Sequence, residues 1–534
     1  MQRLFDIAMN ATTWMLLAIV AAGLIVLSGC APRRALRPTL GKAEDPPTGH
    51  QKAHAWYVES LPADGGKPFS CSFVEFDERG DYLDFHQHRH AYTKIKKLSD
   101  THKERLLVVV YVHGWKNNSQ SGDVVEFNGF LKQVASLPYV VESKFRVHGV
   151  YLAWRGNAVA HKLDRESELF QATTNAYGEP LVNLRYARKA PLGWLLAVPE
   201  MLSYWSRKNA AEDKVSGVSI IRTIFTIGHT ARRYGDTNNP NRIFLMGHSM
   251  GALMLEQSFA PASLARLTAE WPWDDPELIK QAEANPLPFD LVMLVNSAAP
   301  SIYARQLHGY MVAHREALAN NGVTGADAPL IISLTSKADW ATGKVHPWGN
   351  ALAPLYPSLW RSYLGSEFIL AMDSNAPPVK IPQSYYYRRT PGHNPLLVNH
   401  WIVPAPDEPP PAPAQSVMQQ NIDTRRTNEI ANRTFHTSPR KPGGKTNTWQ
   451  LITTPLPKDK AWSTYQGYKP LCVGPGEVRS GYWIMRCPKE IISGHNDIWS
   501  QQAMETYLAL FRESEYLRKQ PSVRRRERMV PNAP

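Results

Sequence analysis

The stretch Arg242-Ile243-Phe244-Leu245-Met246-Gly247-His248-Ser249-Met250-Gly251 constrains the fold of this chain more than any other. Apolar residues run into G-H-S-M-G, and Ala252-Leu253-Met254-Leu255-Glu256 continues with helix formers. Where a strand turns sharply into a helix, the serine between them sits on strained φ/ψ, and only small residues fit two positions to either side. Gly247 and Gly251 supply that clearance. Such a turn lifts the Ser249 hydroxyl above the sheet edge. It also aims the Met250 N–H, at a helix N-terminus, toward an anion held there. The pattern predicts an α/β fold with a candidate nucleophile at Ser249 and a candidate oxyanion donor at Met250.

Further strands follow from continuous apolar runs, the mark of strands buried on both faces. They are Leu106 to Val112, Phe145 to Trp154, Asp290 to Asn296 and Leu330 to Thr335. A helix is predicted from Val124 to Ala135 and helical pattern from Ala210 to Tyr234. Asp339, in Ser336-Lys337-Ala338-Asp339-Trp340, lies just past the carboxyl end of a strand, where open α/β sheets place their sites. Asp290 begins a strand and is the poorer candidate acid. His495, in Gly494-His495-Asn496-Asp497-Ile498, falls between the short apolar stretch Ile491-Ile492 and a helical pattern from Gln501 to Phe511. That is the place for a base. His393 and His400 compete with it.

Taken together, Val112-His113-Gly114-Trp115, Gly247-His248-Ser249-Met250-Gly251, Ser336-Lys337-Ala338-Asp339-Trp340 and Gly494-His495-Asn496-Asp497-Ile498 resemble the α/β-hydrolase superfamily. More narrowly they are similar to uncharacterised bacterial esterase-like lipoproteins. The resemblance covers roughly residues 105–155, 200–343 and 481–512. It implies a mostly parallel sheet with helices on both faces, the chain order Ser…Asp…His, and no cofactor or metal. It also implies that the His113-Gly114 element supplies the second oxyanion N–H, from Trp115 or its neighbour Lys116. The departure is the long segment between acid and base.

Length allows two to four domains or one α/β domain with insertions. The chain has 534 residues, 43% of them apolar, which is enough for a sizeable core. Residues 1–30 read as an export signal: Arg3, an apolar run to Leu27, then Leu27-Ser28-Gly29-Cys30, which resembles a lipoprotein lipobox with Cys30 as the lipidated residue. An uncleaved membrane anchor is the alternative. Ala31 after the cysteine favours, by the same resemblance, the outer membrane of a bacterial envelope, facing the periplasm. Residues 31–55 read as a polar tether, 56–512 as the main domain, with insertions near 156–200 and 344–480, and 513–534 as a basic tail. Pro404 to Pro413 reads as an extended linker, and 415–450 as polar and mobile.

In an oxidising compartment Cys472 and Cys487 are expected to form a bridge, with Cys71 left over. Residues 56–100 suggest an N-terminal hairpin. Within it His86, His88 and His90 alternate, which would place all three on one strand face. No cysteine or second cluster supports a metal there. The net charge of +13 is spread along the chain apart from Arg524-Arg525-Arg526-Glu527-Arg528, and no nucleic-acid motif or internal repeat accompanies it.

The function these residues point to is a membrane-tethered serine hydrolase acting on carboxylic esters through Ser249, Asp339 and His495, with an ester or lipid-like small molecule as substrate. A lipase, phospholipase or acyltransferase is the nearest alternative. A tethered binding protein on a hydrolase scaffold, or a membrane-surface binder resting on charge, are rivals of another class.

Overall fold

The computed structural model describes, apart from short gaps, residues 57–60, 68–156, 204–235, 240–269, 287–347, 383–404, 434–452 and 481–519, together with Thr13, residues 35–39 and the strands 368–370 and 379–381. The strands are β1 (Tyr57–Ser60), β2 (Phe69–Glu75), β3 (Arg105–Val112), β4 (Phe145–Ala153), β5 (Arg242–His248), β6 (Leu291–Val295), β7 (Ile331–Ser336), β8 (Phe368–Leu370), β9 (Val379–Ile381), β10 (His400–Pro404), β11 (Thr434–Thr437), β12 (Asn447–Ile452) and β13 (Tyr482–Cys487). Eleven of them form one sheet, in the order β1-β2-β4-β3-β5-β6-β7-β13-β10-β12-β11, while β8 and β9 pair by themselves. From β2 to β10 every pairing is parallel. β1 at one edge, and β12 and β11 at the other, run antiparallel to their neighbours. The protein is therefore α/β, with a mixed, mostly parallel sheet.

Alternate residues of the central strands feed two separate cores, as the two-residue period of a strand requires. Leu106, Val108, Val110 and Val112 of β3 point to one face. Leu107, Val109 and Tyr111 point to the other. The first face is covered by α1 (Phe85–Thr101), α3 (Val218–Arg233) and α5 (Ser301–Asn320), the second by α2 (Gly122–Ser136) and α6 (Gln501–Arg518). Buried Ile220, Ile224, Ile227 and Ala231 recur at helical spacing along α3, which is why that stripe docks. Ser500 caps α6, its hydroxyl accepting from the Ala503 N–H.

Several expectations need correction. His86, His88 and His90 lie on helix α1 and not on a strand. Ala91, Ile95 and Leu98 set its buried face. Residues two apart on a helix point away from each other, so only His88 turns inward, against Tyr82, Phe85 and Tyr92. The preceding β1–β2 hairpin is as expected.

The 344–480 segment is not wholly an excursion, because β10, β12 and β11 extend the main sheet beyond β13. The polar stretch near 434–450 contributes two of those strands. Most of Pro404 to Pro413 lies outside the described residues. Ile491-Ile492 is a turn after β13, not a strand. Helix α6 continues to Arg518, inside the expected tail, because Arg518 reaches back to Asp290.

Cys487 carries a free, fully buried thiol, so it does not form the expected bridge. It alternates with Trp483 and Met485 on one face of β13 and packs into the second core, where burial pushes its thiol pKa up. Cys472 and Cys30 lie outside the described residues. Cys71 is also free and buried.

The tether reading fails at residues 35–39. Arg37 and Thr39 are buried, and the backbone N–H groups of Leu36 and Arg37 donate to the Glu75 carboxylate at 2.9 and 2.8 Å. The Glu75 carboxylate at the end of β2 is satisfied by this strap together with Gln87 and Ser119.

Candidate active site

The carboxyl ends of β3, β5, β7 and β13 carry the singled-out motifs, and parallel pairing brings these four ends to one edge of the sheet. Ser249 follows β5 and precedes α4 (Met250–Met254). Its backbone is strained, with φ 54° and ψ −115°. The glycines explain why the turn closes. A Cβ on Gly251 would lie 2.1 Å from the Val112 carbonyl oxygen, and one on Gly247 would lie 2.8 Å from Leu255 Cδ1. Three backbone hydrogen bonds hold the turn: Ser249 N–H donates to Val295 O (3.1 Å), and Ser249 O accepts from Leu253 N–H (3.0 Å) and Ala298 N–H (3.1 Å).

His495 Nε2 lies 2.8 Å from Ser249 Oγ. On its other side Nδ1 lies 3.0 Å from both carboxylate oxygens of Asp339. Burial pushes the Asp339 carboxyl up, but the His495 ring, with hydrogen bonds from His495 and Thr342, outweighs it and holds the group well below the usual carboxylate range. An ionised Asp339 cannot donate, so Nδ1 carries the imidazole proton and Nε2 presents a lone pair to the Ser249 hydroxyl. Thr342 fixes the carboxylate through its N–H (3.1 Å) and its hydroxyl.

His393 sits behind this array. Its Nδ1 faces Thr390 Oγ1 at 3.1 Å and Thr342 Oγ1 at 3.4 Å. Burial pushes its pKa down to about 4. It therefore props Thr342, which in turn props the acid. His400 pairs with Asn399 Oδ1 and stacks on Trp483 at 4.2 Å. Asp290 lies at the opposite end of the sheet, gripped by Arg232, Arg242 and Arg518.

The His113-Gly114 loop lies against the elbow, since a Cβ on Gly114 would sit 2.9 Å from Ser249 Cβ. His113 Nε2 accepts from Trp154 N–H at 3.0 Å, so its Nδ1–H donates to Gly114 O at 2.8 Å. In a trans peptide the carbonyl and the following N–H point opposite ways. Holding Gly114 O toward His113 therefore directs the Trp115 N–H away from that ring. Trp115 itself meets Tyr204 edge-on at 5.2 Å. Lys116 lies outside the described residues.

Two further residues of the site are not singled out by the sequence analysis. Asn296, fully buried with φ 47°, directly follows β6, which lies between the nucleophile and acid strands. Its Nδ2 donates to His495 O (2.9 Å) and Gly494 O (3.2 Å), and its Oδ1 accepts from Ser336 N–H (3.0 Å). His248 Nε2 also donates to His495 O, at 2.9 Å. Burial pushes the His248 pKa down to about 3, and nearby His495 adds to the shift, so the ring stays a neutral donor. These two side chains clamp the loop that carries the base.

No family model, curated protein or solved structure matches the chain. What can be said of its chemistry rests on the geometry.

Proposed function

We propose that this protein is a serine hydrolase of the α/β-hydrolase fold that cleaves carboxylic esters through an acyl-enzyme on Ser249. The observation that carries this reading is the continuous array from Ser249 Oγ to His495 Nε2 (2.8 Å) and from His495 Nδ1 to Asp339 (3.0 Å), with the serine on a strained strand-to-helix turn. A hydroxyl in that position gives its proton to His495 as Oγ attacks an ester carbonyl. Asp339 stabilises the imidazolium that forms. The oxyanion falls between the Met250 and Trp115 N–H groups, and one such donor is worth about 3–4 kcal/mol of transition-state stabilisation. The tetrahedral intermediate expels the alcohol, which takes the proton from His495. Water then repeats the sequence on the acyl-enzyme, releasing the acid and restoring Ser249.

The test is fluorophosphonate labelling read by intact mass on wild type, Ser249→Ala, His495→Ala and His393→Ala. One adduct is expected on wild type, none on Ser249→Ala, a labelling rate lowered at least a hundredfold in His495→Ala, and a rate within tenfold of wild type in His393→Ala. A Ser249→Ala protein that still labels or still turns over esters refutes the proposal.

A further inference from the structure

The strap at residues 35–39 ties the chain's N-terminal side to the same edge of the sheet as the active site. Besides the two Glu75 bonds, Ser119 Oγ donates to Glu75 at 2.8 Å, and Gln87 Nε2 bridges Glu75 Oε1 and Arg37 O, both at 2.8 Å. Arg37 Nε donates to Ser119 O at 2.6 Å, and its guanidinium stacks over Phe73 at 4.0 Å. Thr39 donates to Asp84 through N–H and hydroxyl, both at 2.8 Å. Glu75 ends β2, Asp84 precedes α1, and Ser119 follows the His113-Gly114 loop, so every anchor is at the carboxyl-end rim.

Chain length then sets a distance. Four residues lie between Cys30 and Ala35, so five Cα–Cα steps set a reach of at most about 17 Å. β2 and β5 are three strand spacings apart, about 14 Å. Acyl chains on Cys30 would therefore insert into a bilayer within that reach of the strap, on the side of the molecule where the rim carries Ser249.

The rim is built for such a surface. Phe85 and Val218, 50% and 80% exposed, begin helices α1 and α3 there, and Tyr82 joins them by meeting Phe85 edge-on and donating to Ser219 O. Trp340, 55% exposed, stands next to Asp339. Arg79, Lys214, Lys337 and Lys344, each within a few residues in sequence of one of these apolar side chains, are exposed, as are Asp81 and Asp213. Aromatic and aliphatic tips with cations nearby in the chain suit a headgroup layer containing anionic lipid.

We infer that the carboxyl-end rim of the sheet lies on the lipid bilayer, held there by the 35–39 strap, and that the site takes acyl esters presented by that bilayer. The substrate half of this inference rests on the hydrolase reading; the orientation rests on the lipoprotein reading of Cys30.

The experiment uses the full chain, acylated at Cys30, in vesicles of phosphatidylethanolamine and phosphatidylglycerol, on a Cys472→Ser background so that only buried native thiols remain in the folded domain. Spin labels at Val218→Cys and at Tyr516→Cys are compared for collision with oxygen and with a water-soluble nickel chelate. Tyr516, 45% exposed, lies near the end of α6, at the far pole. The label at 218 is expected to be protected from nickel and that at 516 to be fully exposed to it. Equal nickel accessibility overturns the orientation, as does an intact mass showing Cys30 unacylated.

A second variant inserts twenty Gly/Ser residues between Arg34 and Ala35, which leaves the strap intact and lengthens the tether. Turnover of a long-chain ester embedded in the vesicles is expected to fall at least tenfold, while turnover of a soluble short-chain ester stays unchanged. Undiminished turnover of the embedded ester overturns the substrate inference. Absence of turnover on both esters by the uninserted protein instead refutes the hydrolase reading, and the spin labels still decide the orientation.

Discussion

Asn296 offers the sharpest test of how the site is held. Its side chain makes three hydrogen bonds, one to the acid strand at Ser336 N–H and two to the base loop at Gly494 O and His495 O. In Asn296→Ala the Ser336 N–H is left buried without that acceptor, at a cost of about 1–3 kcal/mol. The two loop carbonyls lose about 0.5–1.5 kcal/mol each, at the low end for His495 O because His248 still donates to it. The backbone adds to this. At φ 47° an alanine pays about 1–2 kcal/mol that a glycine does not. The expected loss is about 3–7 kcal/mol for Asn296→Ala and about 1–2 kcal/mol less for Asn296→Gly, read by urea denaturation. Activity should not follow that order. Both variants release the His495 loop, and a displacement of about 1 Å at a catalytic group costs on the order of a hundredfold in rate. Fluorophosphonate labelling should therefore slow by a similar factor in both. An Asn296→Gly protein that labels at the wild-type rate would show that the loop holds itself, and the positioning argument would fail.

Three further outcomes follow from the same geometry. Ser249→Ala keeps the strained backbone and Ser249→Gly relieves it, so the glycine variant should be the more stable of the two by about 1–2 kcal/mol in urea, with neither forming an adduct. Equal stability would mean that φ 54° stores no strain. Glu256 is buried against Ser297 and Tyr482, and burial raises its pKa to about 7. A carboxyl raised on folding stabilises the fold fully below its unfolded pKa and loses that contribution as pH rises toward 7. Melting temperature should therefore fall between about pH 4.5 and 7, by up to about 3 kcal/mol in stability, and Glu256→Gln should flatten that slope. Asp290→Asn strips the carboxylate from Arg232, Arg242 and Arg518 at the pole away from Ser249. It should cost about 2–4 kcal/mol and leave the labelling rate of the folded protein unchanged; slowed labelling would refute the structural role.

The central strands were legible because each is buried on both faces and so reads as an unbroken apolar run. Ser249 and Asp339 were legible because each follows such a run; His495 was legible only by its place before the last helix, since Ile491-Ile492 is a turn. What was not legible is carried by contacts distant in sequence. Asn296 meets its loop partners 198 and 199 positions away, and its only local sign is an asparagine, tolerant of positive φ, at a strand end. The strap meets Glu75 across 38 and 39 residues, and a polar, Pro-bearing stretch gives no hint of a buried arginine. Two misreadings had an available remedy. Ala91, Ile95 and Leu98, spaced four and three apart, mark the helix that the alternating histidines obscured. Trp483, Met485 and Cys487, spaced two apart, mark one buried strand face and a thiol turned into the core.

The few residues at the end of β6 explain why the strain at Ser249 persists. Val295 O and Ala298 N–H bracket the serine backbone from either side. Between them Asn296 reaches the base loop and the acid strand, and Ser297 Oγ donates at 2.7 Å to Glu256, on the helical segment behind the elbow. Nucleophile, base and acid come from three different strands, yet each is tied to this one loop. A backbone held from four directions cannot relax one angle without breaking a bond elsewhere, so it tolerates an unfavourable φ that an isolated turn would lose. The loop itself pays with a positive φ at Asn296. Strain is thus shared between two adjacent turns, and the geometry of the Ser249–His495 contact depends on β6 as much as on the strands that bear the reacting groups.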